Sequence, residues 1–99
     1  MAKKQIVWSE LASLQLESVL DYFTNRNGNA NYSLKLLDDV DKLVNSIAEN
    51  EQLGRLTSNN FTRVVPKKQY LIFYEISDRQ IEIISFWDNR QNPDRKKVK

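Results

Sequence analysis

The chain contains no cysteine and no histidine. Disulfides, thiol chemistry, the usual zinc sites and every Ser-His or Cys-His nucleophile arrangement are thereby excluded. Acid-base work would fall to Asp, Glu, Lys or Tyr, whose unperturbed pKa values lie far from neutrality. Glycine and proline are scarce as well, two of each in 99 residues, and no linker, repeat or low-complexity segment divides the chain. No run approaches the roughly 20 apolar residues that cross a bilayer, and the opening Met-Ala-Lys-Lys leads into a β-prone segment rather than an apolar signal. The expectation is a single cytoplasmic domain over residues 1–99, with no metal, no cofactor and no membrane contact.

What is present suits one core: 40% of residues are hydrophobic and 28% charged, enough for one ordinary domain and not for two. The net charge of +2 is unevenly placed. Residues 1–50 hold five Lys/Arg against seven Asp/Glu, and residues 51–99 hold ten against six. The basic half also carries most of the aromatics, a pairing that suits either an anionic partner or a solvated basic surface.

Gln5-Ile-Val-Trp8 is short and β-prone, and Ser9 follows as a helix N-cap. Ala12, Leu16, Val19, Leu20 and Phe23 then recur at helical spacing, which predicts a helix with one apolar face to about Asn25. Asn25-Arg-Asn-Gly-Asn29 ends it with turn residues. A second helix is predicted from Asn31 or Ser33, with Leu36, Leu37, Val40, Leu43, Val44 and Ile47 on one stripe and Gly54 beyond its polar exit.

Phe61–Val65, Tyr70–Ile76 and Ile81–Trp87 read as strands, separated by Pro66-Lys-Lys-Gln69 and Ser77-Asp-Arg-Gln80 at hairpin-forming lengths. The expected fold class is α+β, in the order β-α-α-β-β-β: a helical hairpin on one face of a small, mainly antiparallel sheet whose other face is open. Strict alternation places Tyr70, Ile72, Tyr74 and Ile76 on one face of their strand. In the last strand it sets Ile81, Ile83, Ser85 and Trp87 against Glu82, Ile84, Phe86 and Asp88. That strand runs into Asp88-Asn-Arg-Gln-Asn-Pro93, a polar cluster stopped by proline, where a small domain would keep a working site.

In order and spacing these features resemble the RelE/ParE superfamily of bacterial type II toxins. The features are Trp8-Ser9 before a helix with Ala12, the Leu/Ile-rich second helix, Leu53-Gly54-Arg55, the Tyr70-x-x-x-Tyr74 strand and a late Arg90. The resemblance implies a growth-inhibiting toxin neutralised by a cognate antitoxin protein that packs on the apolar open sheet face and edge. Members differ in target: some cleave mRNA on the ribosome, some poison DNA gyrase, and some have lost activity.

RNA cleavage needs several cations converging on one phosphate, each worth about 2–4 kcal/mol in the transition state. Arg90 stands at the family's late arginine, but Leu71 replaces the cation expected after the first tyrosine of its strand. An apolar side chain cannot bind phosphate. The expected catalytic set, if RNA is cut, is therefore Arg90 and Arg63 with Glu75 as base; Lys67, Lys68, Trp87, Asn89 and Gln91 are the expected target-binding set. The gyrase-type reading needs only a surface and stands ahead, with the endoribonuclease and the inactive antitoxin-binding homologue as alternatives. Each feature also has a bland role: Phe86 and Trp87 as core-edge packing, Tyr70 and Tyr74 packed on the helices with hydroxyls at the rim, and Arg63 in a cross-strand ion pair with Glu75 or Glu82. The basic tail 94–99 reads as a frayed end with non-specific attraction to phosphate.

Overall fold

A computed structural model describes residues 4–89. The elements are β1 (Gln5–Trp8), α1 (Glu10–Asn27), α2 (Asn31–Glu49), β2 (Arg55–Leu56), β3 (Thr62–Lys67), β4 (Tyr70–Ile76) and β5 (Gln80–Asp88). The sheet order is β1-β5-β4-β3-β2; β1 runs parallel to β5 and every other pair is antiparallel. The expected architecture holds, with one addition: a two-residue strand, β2, pairs with Arg63 and Val64 at the sheet edge. Two residues carry no period, so such a strand leaves no trace in sequence.

Both helices start and stop for local reasons. Ser9 Oγ accepts the Ala12 N–H at 3.0 Å and donates to the Ile84 carbonyl at 3.0 Å, so one hydroxyl both caps α1 and ties it to β5. Gly28 ends α1 at φ 75°, its N–H bonded to the Thr24 carbonyl. Ser33, buried at the start of α2, donates to the Leu20 carbonyl at 2.8 Å and hooks the two helices together.

The core is built from Ala12, Leu16 and Val19 of α1, Leu36, Val40, Val44 and Ile47 of α2, and Tyr70, Ile72, Tyr74, Ile81, Ile83 and Phe86 of the sheet. Leu37, expected on the α2 stripe, lies at its edge and is 41% exposed. Pro66 belongs to β3 and not to a loop: β2 pairs no further along β3 than Val64, so the missing N–H costs no ladder bond. The β3–β4 turn is thus only Lys68-Gln69, with Lys68 at φ 57°.

Alternation fails in β5. Tyr74 pairs with Ile83 while Phe73 pairs with Ser85, so Ile84 is an extra residue and the phase of the strand flips there. Ile81, Ile83, Phe86 and Asp88 all end up on the helix side, whereas strict alternation put Phe86 and Asp88 on the other. The bulge lies beyond the end of β1, where α1 supplies the missing edge partners. The Gln15 Oε1 accepts the Phe86 N–H at 2.8 Å and the Ser85 hydroxyl at 3.1 Å, and the Ser9 N–H donates to the Ile83 carbonyl.

Candidate target-binding face

Residues paired in register share a face, and Tyr70, Ile72 and Tyr74 mark the helix side. Arg63, paired with Tyr74, therefore projects on the helix side; Glu75, paired with Thr62 and Glu82, projects on the open side. The two candidate catalytic groups of the sheet interior thus face opposite ways. Nor does Arg63 form the ion pair with Glu75 or Glu82 that sequence allowed: its Nη1 donates to the Gly54 carbonyl at 2.7 Å. The Glu75 Oε2 accepts the Thr62 hydroxyl at 2.7 Å and stands opposite another carboxylate, Glu82.

Lys67 and Lys68 occupy the far end of β3 and its turn, about five residues or roughly 16 Å along the strand from the Thr62–Glu75 pair. There the sheet brings them beside the end of β5: Tyr70 pairs with Asp88, and the Asn89 N–H donates to the Gln69 carbonyl at 2.8 Å. Trp87 is half-buried on the open side opposite Leu71, and the Asn89 Oδ1 is buried without a hydrogen-bond partner among the described residues. Lys67, Lys68, Trp87 and Asn89 therefore lie at one end of the sheet, Lys67 on the helix side with Tyr70 and Trp87 on the open side, and Arg63 and Glu75 are remote from that end. Arg90 and Gln91 lie outside the described residues.

Sequence reading missed what Arg63 is used for. Tyr74 is fully buried, its hydroxyl not at the rim but inside, donating to the Glu51 carbonyl at 2.7 Å and accepting the Gly54 N–H at 2.8 Å. With Arg63 on the Gly54 carbonyl and Lys4 paired to Glu51 at 3.0 Å, three separated segments hold the α2–β2 loop. The only sequence signal was Leu53-Gly54-Arg55, where Gly54 reads equally well as a helix terminator. The loop delivers Arg55 to the open side, opposite in face to Arg63, and leaves it exposed.

Burial pushes the Tyr74 phenol above its ordinary 10.0; the Gly54 N–H and the Arg63 charge oppose this, and the Glu51 charge adds to it. The folded state thus holds this proton more tightly than the unfolded chain. Its stabilising effect is complete below pH ~10 and is lost as pH rises through the folded value. Urea titrations at pH 8 to 11 are expected to show stability falling above pH ~10, with a smaller fall in Tyr74→Phe. Parallel curves for the two proteins would contradict the assignment. A phenol held protonated in this way is no general base near neutrality.

Among the described residues no three Asp or Glu side chains are grouped to hold a metal ion, and no helix is long and apolar enough to cross a membrane.

A family model described as the ParE toxin of the type II toxin-antitoxin system parDE matches residues 6–93. Of the solved structures, one described as the chromosomal ParDE TA system from P. aeruginosa is similar in fold. Its TM-score is 0.72 at 17% identity, over 85% of this chain and 94% of that one. No protein of curated function matches the sequence.

Proposed function

The chain belongs to the ParE toxin family of type II toxin-antitoxin systems, and from that membership we propose a growth-inhibiting toxin that a cognate antitoxin neutralises. Its target is engaged by binding, in the manner of a gyrase poison, and not by cutting RNA. The observation that carries this reading is the division of the charged groups. Arg63 is engaged with the Gly54 carbonyl on the helix side, Glu75 faces the open side, and Lys67 and Lys68 stand at the other end of the strand. Phosphoryl chemistry needs such groups within a few ångströms of one phosphate. Leu71, opposite Trp87 on the open side, adds an apolar surface where a cleaving relative would present charge.

The end of the sheet bearing Lys67, Lys68, Trp87 and Asn89 is the contact surface this reading assigns to the target. Induced expression in a bacterium is expected to arrest growth, to impair supercoiling and to leave mRNA intact. Co-expression of the product of the adjacent reading frame is expected to restore growth. Lys67→Ala/Lys68→Ala is expected to weaken arrest about tenfold with the fold unchanged, because both side chains sit at a strand end and turn. New mRNA ends in translating extracts would overturn the binding mechanism in favour of an endoribonuclease. Absence of arrest would point to an inactive antitoxin-binding homologue.

A further inference from the structure

Burial alone does not choose the phase of β5 beyond Ile83. In the bulged phase Phe86 and Asp88 turn beneath α1 and are 1% and 6% exposed, while Trp87 stays half-buried on the open side. Simple alternation would exchange them, turning Trp87 inward and Phe86 and Asp88 outward. That exchange buries the larger aromatic and returns a carboxylate to water, so by transfer from water the unbulged strand is at least as favourable. Some other interaction holds the bulge.

Hydrogen bonds from α1 and its N-cap supply it. The pairing of β1 with β5 ends at Trp8 and Ile83, and the Ser9 N–H then donates to the Ile83 carbonyl, so residue 83 turns its carbonyl toward this edge of the sheet. In a regular strand residues 85 and 87 would do the same, and the Phe86 N–H would point the other way, into the ladder with β4. It donates instead to the Gln15 Oε1 at 2.8 Å, a bond available only with the extra residue in place. The same oxygen accepts the Ser85 hydroxyl at 3.1 Å, and the Ser9 hydroxyl donates to the Ile84 carbonyl at 3.0 Å. Gln15 thus holds the two residues that lie between the bulge and Trp87.

We propose, on the reading that the Trp87 end of the sheet contacts the target, that Gln15 is a positioning residue for that contact. Its Oε1 selects the bulged phase of β5, and that phase presents the Trp87 indole on the open face opposite Leu71 instead of beneath α1. Gln15 acts from α1 through the backbone of β5, lining one groove with Phe86, Trp87 and Asp88.

The test uses the full chain carrying Trp8→Phe, which leaves Trp87 as its one tryptophan. In that background Gln15→Met keeps the side-chain length and helix propensity but removes the acceptor, whereas Gln15→Glu keeps an acceptor for both the N–H and the hydroxyl. Gln15→Met is expected to retain the helical circular dichroism, to shift Trp87 emission to the blue as the indole turns inward, and to move the Phe86 amide signal. It is also expected to weaken growth arrest at least about tenfold, as truncation of a central contact would. Gln15→Glu is expected to match the background in emission and arrest. Val40→Ala, a core substitution on α2, is expected to lower stability without the blue shift, because lost stability alone does not turn the indole. Unchanged emission or undiminished arrest in Gln15→Met overturns the inference and leaves the target reading intact, and so does an equal blue shift in Gln15→Glu or Val40→Ala. Full arrest by Trp87→Ala overturns the target reading, and the inference with it.

Discussion

Phe86→Ala is expected to remove about 3–5 kcal/mol of folding stability. Phe86 is 1% exposed and stacks on Tyr70 with ring centroids 4.9 Å apart and planes inclined by 23°. Truncation loses both the transferred area and the ring contact, and it leaves a cavity beneath α1 that the bulged strand cannot collapse to fill. A domain of this size holds about 5–15 kcal/mol in total, so the variant approaches the point of unfolding. Chemical denaturation of Phe86→Ala beside Trp87→Ala is the discriminating measurement. Were β5 to alternate without its bulge, Phe86 would face the open side, its removal would cost little, and Trp87 would be the core residue. A larger loss for Trp87→Ala would therefore contradict the register of β5.

Gly54→Ala is expected to cost about 2–4 kcal/mol, lowering Tm by roughly 8–30 °C. A Cβ at this position would lie 2.8 Å from the Tyr74 Cε1, 2.9 Å from its hydroxyl and 3.0 Å from the Val64 carbonyl. The obstacles are a buried ring and backbone, neither of which yields readily. Any shift also strains the Tyr74 hydroxyl's bonds to Gly54 and Glu51 and the Arg63 bond to the Gly54 carbonyl. Gly28→Ala serves as the control. There nothing lies within 4 Å of the added Cβ, and the expected cost, about 1 kcal/mol, comes only from placing a side chain at φ 75°. The two glycines separate two requirements, room at Gly54 and backbone freedom at Gly28. Equal losses in calorimetry would mean that the Tyr74 contact exerts no constraint.

The candidate site was legible only in part. The placement of Trp87 and Asn89 at the same end of the sheet as Lys67 and Lys68 follows from hairpin lengths, because Tyr70-to-Ile76 and Ile81-to-Trp87 pair antiparallel and return β5 to the β3–β4 turn. The separation of Arg63 from that end was not legible. It depends on the face Arg63 shares with Tyr74 and on a carbonyl from the α2–β2 loop, a contact made by residues nine apart through an unpredicted strand. The buried face of α1, Ala12, Leu16 and Val19, was read from helical spacing, whereas the exposure of Leu11, Leu14 and Tyr22 outside that face was not drawn from the sequence.

By itself, the sequence determined the class of fold and the chemistry that is ruled out. Without cysteine or histidine no thiol or imidazole mechanism exists, and two helical stripes followed by period-two runs with short turns leave a helical hairpin on an antiparallel sheet as the economical way to bury them. These are local properties, carried by composition and by repeats of 3.6 and 2 residues. Tertiary structure alone decided the bulge at Ile84, the latch of Tyr74 on Gly54, and the opposite facing of Arg63 and Glu75. Each depends on what stands across a strand or under a loop, and a period along the chain contains no record of its neighbours in space.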